Sequence, residues 1–336
     1  MGEQPTFADL NRRADIDAQL RPRSLDQFVG QERVRNNLSI AIEATKKRGE
    51  TLDHVLLSGL PGLGKTTLAH VIAQELGVEV RITSGPALER TGDLVGMLST
   101  LKRGDILFID EVHRLPRVLE EYLYSAMEDY AIDLVLDQGP AARSVRLTLE
   151  RFTLIGATTR EGLLSGPFRS RFGLLEKLDL YPHADLVRIV ERSAALLDSR
   201  IDAAALELVA SRARGTPRVA NRLLRRLRDL ALVRGRDVID SPVAREAFAH
   251  LAIDDRGLEE TDRRILRCLE RLGGGPTGLK TVAAAVGEEE DTLESVYEPY
   301  LLSLGFLERT PRGRKITPAG LGHLGIKSDG ANARFP

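Results

Sequence analysis

The sequence contains no tryptophan and only one cysteine, Cys268, among 336 residues. A single cysteine excludes an intramolecular disulfide and a metal site built from cysteines. Because Cys268 lies in an apolar pattern with helical spacing, we interpret it as a buried small hydrophobic residue and not as a nucleophile. The six histidines show no spacing typical of metal ligands. Neither residue type therefore predicts a metal centre.

Long apolar runs and an excess of charge of either sign are also missing. No apolar stretch approaches the roughly 20 residues that a membrane-spanning helix needs, and no signal peptide begins the sequence. Lysine and arginine number 48 against 49 aspartate and glutamate residues, which gives a net charge of −1. Any contact with nucleic acid must therefore depend on local basic patches. With 42% hydrophobic and 29% charged residues, we expect a cytoplasmic globular protein of two or three domains that does not contact membranes.

What the sequence does contain is a glycine-rich segment directly after a short apolar run. Residues 59–66 fit the pattern G-x-x-x-x-G-K-[ST], and helical spacing follows, which is the strand–loop–helix context of a phosphate-binding P-loop. Glycines allow backbone N–H groups to turn toward a polyphosphate, and the helix N-terminus adds its positive end. Lys65 is predicted to reach the β- and γ-phosphates, and Thr66 to place its hydroxyl on Mg²⁺. The alternative is an ordinary turn.

Two acidic residues follow a second apolar run, at residues 106–109. Such a run is expected for a central strand of a parallel sheet, and α/β folds place their ligand crevice at the carboxyl ends of these strands. Asp110 would hold Mg²⁺, directly or through water, and Glu111 would polarise the water that attacks the γ-phosphate. Paired acids at a strand end are often only a solvated cap. The P-loop lysine 45 residues earlier favours the catalytic interpretation.

A third buried strand, at residues 152–160, has two threonines at its tip, Thr158 and Thr159. A threonine at this position can hold the attacking water or contact the γ-phosphate, or it can simply cap the next turn. The residues alone do not distinguish Thr158 from Thr159. Shortly afterwards Arg169 and Arg171 lie between two phenylalanines. They are either solvated or, in an oligomeric ATPase, able to reach the γ-phosphate of a neighbouring subunit.

Alternating apolar residues on both sides of a polar segment predict a β-hairpin with a long loop at residues 132–149. The hairpin either packs its apolar face on its own core or presents that face to a partner. The residues leave both interpretations open.

The pattern becomes all-helical after about residue 183. One helix begins near Arg218, and nine arginines against one aspartate lie between residues 212 and 236. Such a stripe is often only a solvated face, although Arg218 at the helix start is placed to meet a bound nucleotide. A linker is predicted at residues 254–257.

The last part of the sequence has the pattern of a winged helix, which is a helix-turn-helix variant. Helical spacing at 261–272, 278–286 and 290–304 is followed by a two-stranded ribbon at 306–317. Its basic residues are suited to DNA phosphates: Arg309, Arg312, Arg314 and Lys315. Winged helices also dock proteins, but we favour contact with nucleic acid. No aromatic residue is interleaved with these basic residues, which argues against stacking on single strands.

Taken together, these motifs resemble those of AAA+ ATPases and, more closely, the bacterial motors that drive branch migration of Holliday junctions. The matching segments are LRPRSLDQFVGQ (20–31), GLGKTT (62–67), DEVHRL (110–115), GATTR (156–160), FRSRFG (168–173), GTPR (215–218) and RTPRGR (309–314). The resemblance covers nearly the whole chain. It implies an α/β P-loop AAA+ domain with a parallel sheet flanked by helices (1–182), a small helical lid (183–254) and a winged-helix DNA-binding domain (256–336).

The resemblance also implies roles for individual residues in binding ATP or ADP with Mg²⁺. The adenine pocket would be lined by Leu20, Arg21 and Tyr181. The phosphates would be held by Gly62, Gly64, Lys65, Thr66 and Thr67, and Mg²⁺ by Thr66 and Asp110. Close to the nucleotide would lie Glu128, Asp129 and Tyr130. The first sensor would be Thr159, the arginine finger offered to another subunit Arg171, and the second sensor Arg218. DNA contacts would come from Arg309 and Arg314.

The assembly implied by the resemblance is a homo-hexameric ring with ATP sites between subunits, acting on double-stranded DNA at four-way junctions in recombination and repair. The 132–149 hairpin would dock on a junction-binding partner protein, and a resolvase would complete the system. Two alternatives are an origin-binding initiator and a clamp-loader-like remodeller. The wing argues against the clamp loader, and the hairpin argues against the initiator.

Overall fold

The computed structural model describes residues 19–135 and 144–326. The loop of the predicted 132–149 hairpin lies outside these ranges. The chain divides into two compact units, Met1–Asp185 and Leu186–Pro336, which are described separately. Within the described residues, no helix is both long and apolar enough to cross a membrane.

The first unit is built on a five-stranded parallel sheet with the strand order β2-β3-β6-β1-β7. The strands are β1 (Val55–Ser58), β2 (Val80–Ser84), β3 (Ile106–Asp110), β6 (Thr153–Thr158) and β7 (Leu174–Lys177). Every residue of β1 and β6 is buried, as is β3 up to Ile109. These are the continuous apolar runs of the sequence, and such runs form strands that are covered on both faces.

Helices cover this sheet, as the sequence predicts. They include α1 (Glu32–Arg48), α2 (Lys65–Leu76), α3 (Thr91–Ser99), α4 (Arg117–Glu128) and the short α5 (Gly166–Arg169). Strand residues such as Leu107 and Leu154 share one hydrophobic core with Leu123 of α4 and Phe168 of α5. Replacing one such buried leucine by alanine typically costs about 2–5 kcal/mol. This core fixes the strand ends that carry the site.

The predicted hairpin forms β4 (Ala131–Val135) and β5 (Ser144–Thr148), paired antiparallel. Ile132 and Leu149 are buried, and Leu134 and Leu147 pack against the same core. The described base of the hairpin therefore packs on its own domain. Val145 is 47% exposed, and it leads toward the loop that lies outside the described residues.

The second unit begins with a helical lid. Its helices include α6 (His183–Leu196), α7 (Ala203–Arg212), α8 (Pro217–Val233) and α9 (Ser241–His250). The division between the two units lies within α6. The short strands β8 (Arg200–Ile201) and β9 (Val238–Ile239) pair in parallel. Three helices begin with a side-chain cap: Asp202, Thr216 and Asp240 each accept a hydrogen bond from the backbone N–H three residues later. Caps of this kind typically contribute about 1 kcal/mol each.

The winged helix has its own hydrophobic core. It comprises α10 (Glu260–Arg271), α11 (Leu279–Val286), α12 (Glu290–Thr292), α13 (Glu298–Ser303), the wing strands β10 (Leu307–Thr310) and β11 (Gly313–Ile316), and α14 (Pro318–His323). The predicted continuous helix at 290–304 is interrupted by a π-helical turn at Leu293–Tyr297. Pro299 lacks the N–H that an α-helix would bond to the carbonyl of Ser295, and its ring would clash there, so the helix widens before it.

The segment 254–257, which the sequence predicts to be a linker, is packed between the lid and the winged helix. Gly257 has φ +74°, and a Cβ there would lie 2.6 Å from the carbonyl oxygen of Arg212. Nearby, Nη2 of Arg214 donates to Oδ2 of Asp262 at 2.5 Å, and the Asp262 side chain is completely buried. The segment is therefore a packed joint and not an open linker.

Candidate nucleotide site and wing

The P-loop adopts the conformation that its glycines allow. Gly59, Gly62 and Gly64 have φ values of 142°, 83° and 101°, which favour glycine over residues with a side chain. Nζ of Lys65 donates hydrogen bonds to the carbonyl oxygens of Gly59 at 2.6 Å and Leu60 at 3.0 Å. Lys65 is only 7% exposed, so its ammonium group is held inside the loop.

Close packing excludes a side chain at Gly59 and crowds one at Gly64. A Cβ at Gly59 would lie 2.6 Å from the carbonyl oxygen of Leu178, and one at Gly64 would lie 3.2 Å from Cζ of Phe28. Helix α2 begins at Lys65, and no side chain caps its N-terminus. Uncapped N–H groups at a helix start are suited to bind an anion. The loop and the helix start together form a cradle that fits a polyphosphate.

The residues predicted to line the adenine pocket lie beside this cradle. Oη of Tyr181 donates to the carbonyl oxygen of Leu63 at 3.1 Å. Tyr181 is 5% exposed, as is Leu20, and burial raises the pKa of Tyr181 well above its ordinary value. The hydroxyl therefore stays a hydrogen-bond donor and fixes Tyr181 against the P-loop.

Arg21, the third predicted pocket residue, contacts helix α2. Its Nη1 lies 2.8 Å from Nε2 of His70. Burial, and then the neighbouring Arg21 guanidinium, lower the pKa of His70. A neutral imidazole can accept this hydrogen bond, so His70 orients Arg21 without repelling it.

The central strands bring the P-loop and the catalytic candidates to one edge of the sheet. Ser58, the last residue of β1, pairs with Thr158 at the end of β6, and Ile109 of β3 pairs with Gly156. The backbone N–H of Gly59 donates to the carbonyl oxygen of Thr158 at 3.1 Å. Since all three strands are parallel, their carboxyl ends meet where α/β folds bind ligands.

Glu111 is the best-positioned acid at this edge. It has φ 48°, an unusual value for a residue with a side chain, and its backbone N–H donates to Oδ1 of Asp110 at 3.0 Å. Oγ1 of Thr159 donates to Oε2 of Glu111 at 3.2 Å. The predicted sensor and the predicted water-polarising acid are therefore in direct contact.

Thr158 has a different environment from Thr159. It is completely buried, and its Oγ1 accepts from the backbone N–H of Arg160 at 3.0 Å and lies 2.9 Å from Nδ1 of His113. The structure thus separates the two threonines that the sequence leaves equivalent. Thr159 contacts Glu111, whereas Thr158 contacts His113.

Arg171, the predicted finger, is held by neighbours of its own domain. Its guanidinium group lies 4.4 Å from the centre of the Tyr124 ring. Nη1 donates to the carbonyl oxygen of Pro167 at 2.6 Å, and Nη2 lies 3.1 Å from Oε2 of Glu128. The structure therefore joins two of the predicted nucleotide contacts, Arg171 and Glu128, to each other.

The other two residues of that predicted group lie at the start of the hairpin. Asp129 pairs with Arg146 of β5 at 3.4 Å. Tyr130 has φ 50°, and its ring packs edge-on against Phe152 with centroids 6.0 Å apart.

Two arginines of the wing are engaged by acids of the preceding helical segment. Nε of Arg314 donates to Oε1 of Glu298 at 2.5 Å, and Nε of Arg309 donates to Oε2 of Glu298 at 2.9 Å. Glu294 lies 3.3 and 3.4 Å from the same two arginines. The Glu298 side chain is completely buried, and that of Arg314 is only 15% exposed. Much of the positive charge at the base of the wing is therefore offset within the domain.

The wing tip presents a different arginine. Arg312 is exposed between β10 and β11, and its backbone N–H donates to Oγ1 of Thr310 at 3.3 Å. Lys315 pairs with Glu308 at 3.1 Å. Among the basic residues predicted for this element, Arg312 is the most openly placed for a phosphate.

Three family models match consecutive parts of the chain. They describe the Holliday junction DNA helicase RuvB P-loop domain at residues 20–178, the RuvB AAA lid domain at 181–254 and the RuvB C-terminal winged helix domain at 255–325. The chain belongs to the RuvB family.

Relatives and solved structures agree with this membership. The Holliday junction branch migration complex subunit RuvB of Latilactobacillus sakei subsp. sakei is 58% identical over 326 residues, which is 96% of each chain. The subunit of the same name from Methanoregula boonei is 58% identical over 306 residues, 91% of each chain. A structure of the Thermotoga maritima RuvB Holliday junction branch migration motor is 51% identical, with a TM-score of 0.85 over 92% of this chain and 99% of that chain.

The predicted resemblance and fold class are thus confirmed: this RuvB-family chain combines a P-loop AAA+ domain, a helical lid and a winged helix. The domain boundaries of the sequence analysis stay predictions. So does the sensor role of Arg218, which is exposed in the first turn of α8.

Sequence reasoning assigned no role to three residues that contact the predicted ones. Phe28 lies in a segment that the sequence singled out, but no role was predicted for its ring. His113 lies two residues after Glu111, in a 3₁₀ turn at Val112–Arg114, and a lone histidine carries no recognisable spacing. Glu298 belongs to a helical pattern in which an acid normally indicates a solvated face.

Proposed function

We propose that this chain is the ATP-hydrolysing subunit of a DNA motor that drives branch migration of Holliday junctions. The observation that carries the proposal is the contact between Glu111 and Thr159 beside the P-loop edge, in a chain that also has a winged helix. Such an edge supplies a phosphate cradle, a water-polarising acid and a sensor. The curated relatives named above support the motor assignment.

In this proposal ATP is the substrate, and the P-loop N–H groups and Lys65 bind its phosphates. Leu20, Arg21 and Tyr181 hold the adenine. Glu111 orients the attacking water as a hydrogen-bond acceptor, and Thr159 keeps the Glu111 carboxylate in place.

Mg²⁺ would be held by Thr66 and Asp110, because hydroxyl and carboxylate oxygens are ligands that this ion prefers. Within the described residues, no group of three His, Cys, Asp or Glu side chains could hold a metal ion alone, which fits an ion bound jointly with nucleotide phosphates. When bound, Mg²⁺ offsets negative charge on the phosphates.

We further propose that the functional form is a homo-hexameric ring in which Arg171 serves the ATP site of the adjacent subunit. Glu128, Asp129 and Tyr130 would lie at the same subunit interface, and the pairing of Arg171 with Glu128 supports a shared location. Arg218 would act as the second sensor.

The winged helix would contact double-stranded DNA at four-way junctions through Arg309, Arg312 and Arg314. The 132–149 hairpin would dock on a junction-binding protein of the RuvA type, and a resolvase of the RuvC type would act on the product. We propose the cytoplasm as the site of action.

The test is ATP-dependent dissociation of a synthetic four-way junction, with and without a RuvA-type protein. We expect strand separation that requires ATP and is stimulated by that protein. Lys65→Ala should abolish both ATP turnover and dissociation, because the P-loop loses its phosphate-binding ammonium group. The matched control Lys47→Ala removes a lysine side chain that is 74% exposed and should retain both activities. Sequence-specific duplex binding without strand movement would contradict the proposal.

A further inference from the structure

His113 connects the predicted catalytic acid to the end of a neighbouring strand. Its side chain is 6% exposed, and Nε2 lies 3.3 Å from Oε2 of Glu111. Nδ1 lies 2.9 Å from Oγ1 of Thr158. Both ring nitrogens of a buried imidazole are thus directed at residues of the site.

The hydrogen bonds define which ring nitrogen carries the proton. Oγ1 of Thr158 already accepts from the backbone N–H of Arg160, so its own hydrogen is available for Nδ1 of His113. If Nδ1 carried the proton instead, the hydroxyl hydrogen of the completely buried Thr158 would lose this acceptor, which is unfavourable. Nδ1 therefore accepts, and Nε2 donates to Glu111.

The backbone brings His113 back over Glu111. Glu111 has φ 48°, and the N–H of Arg114 donates to the Glu111 carbonyl oxygen at 2.8 Å. Gly85 packs so closely that a Cβ there would lie 2.4 Å from the same oxygen. A strained and tightly enclosed backbone of this kind is typical of functional sites.

The two donors on Glu111 select one of its oxygens. Thr159 Oγ1 and His113 Nε2 both contact Oε2, at 3.2 and 3.3 Å. Two donors from different elements restrict rotation of the carboxylate, and Oε1 is then the oxygen left for the attacking water of the proposed reaction. With Thr159 as the single donor, the Glu111 carboxylate could rotate about that hydrogen bond.

We propose that His113 is a positioning residue that orients the Glu111 carboxylate through an Nε2–H donor and is itself oriented by Thr158. This inference rests on the proposed ATP hydrolysis at Glu111. It assigns to His113 a role that is exerted through Glu111.

The test compares His113→Ala and His113→Gln in the full chain, assembled on four-way junction DNA. In His113→Ala we expect kcat for ATP hydrolysis to fall about 10- to 100-fold, since misplacing a catalytic group by about 1 Å has effects of this size. KM and the affinity for a fluorescent ATP analogue should change less than about twofold, because the phosphate cradle is intact. His113→Gln should recover most of kcat, because its amide can donate from nearly the same position.

Two further variants separate positioning from folding. Thr158→Val keeps the side-chain shape but removes the hydroxyl that orients His113, so kcat should fall in the same direction by a smaller factor. The matched control His250→Ala removes an imidazole that is 65% exposed and lies 3.5 Å from Glu246 in the lid, and it should leave kcat unchanged.

A double-mutant cycle decides the inference. If His113 acts through Glu111, adding His113→Ala to Glu111→Gln should lower kcat no further. An unchanged kcat in His113→Ala, or independent multiplication of the two effects, would overturn the role of His113. Normal ATP turnover by Glu111→Gln would instead overturn the proposed hydrolysis mechanism, so the two failures are distinguishable.

Discussion

At the scale of single residues, the buried side chain of His54 connects three elements of the first unit. Nδ1 of His54 accepts from the backbone N–H of Leu154 at 2.8 Å, and Nε2 lies 3.1 Å from the carbonyl oxygen of Met127. These contacts join the start of β1 to β6 and to the end of α4. Sequence reasoning found the P-loop residues and Glu111 because their chemistry depends on local spacing. It missed His54 and His113 because most of their partners are far away in the sequence.

His54 should make the first unit sensitive to acid. Burial lowers its pKa below the ordinary value of 6.5, although the Met127 carbonyl opposes this. A lowered folded-state pKa means that the unfolded chain binds a proton more readily, so stability is complete above pH 6.5 and declines as the pH falls through the folded-state pKa. We therefore expect the urea concentration at the unfolding midpoint of this unit to decrease when the pH is lowered from 7.5 to 5.5.

The matching variant is His54→Gln. It should be less stable at pH 7.5 by about 1–3 kcal/mol, because buried backbone groups lose their partner, and it should show a shallower pH dependence. His250→Gln, at an exposed position, should retain the wild-type dependence. Equal pH dependence in all three proteins would refute the role of His54.

At the scale of elements, four predictions agree with the structure to within one residue at each end: the strand at 106–109, the helices at 261–272 and 278–286, and the wing ribbon at 306–317. Hydrophobic periodicity and apolar runs define the buried faces, and these determine where an element packs. The exceptions are local. Pro299 interrupts a helix that periodicity alone extends, and the wing arginines bind acids from a neighbouring element that charge counting along the wing ignores.

Substitutions at Arg312 and at Glu298 should therefore affect different properties: the first DNA binding, the second the stability of the winged helix. Arg312→Ala should weaken binding to duplex DNA and reduce the slope of log K against log salt concentration by about 1, with no loss of stability. Glu298→Gln should instead destabilise the winged helix by about 3–5 kcal/mol, as is typical when one partner of a buried ion pair is removed. Salt titration of binding and urea unfolding measure the two effects.

The control for this comparison is Glu308→Gln, whose carboxylate is 49% exposed and pairs with Lys315. Exposed pairs contribute about 0–1 kcal/mol, so little change in stability is expected. Arg314→Ala should resemble Glu298→Gln in stability, and loss of DNA binding in that variant would not by itself establish a DNA contact. If Glu298→Gln were as stable as Glu308→Gln, the buried acid would not hold the wing.

At the scale of the whole molecule, the motifs predict the family and the three-part architecture because together they cover all three domains: five lie in the P-loop domain, one in the lid and one in the winged helix. The connection between lid and winged helix was not predictable in the same way. The composition of residues 254–257 is typical of a linker. Nearby, however, Asp262 accepts a hydrogen bond from Arg214, which lies in the turn between two helices 48 residues earlier. Such a pairing has no local pattern, so only the folded chain shows that the joint is packed.

The location of Arg171 has a consequence for mixtures of subunits. If the finger serves a neighbour, Lys65→Ala and Arg171→Ala damage opposite sides of each interface, and two inactive proteins should complement each other. Random equal mixing would leave about a quarter of the interfaces with both an intact P-loop and an intact finger. ATP turnover measured after mixing should rise well above that of either variant alone. A mixture that stays inactive would place the finger in its own subunit's site. Each substitution would then inactivate only the ATP site of the subunit that carries it.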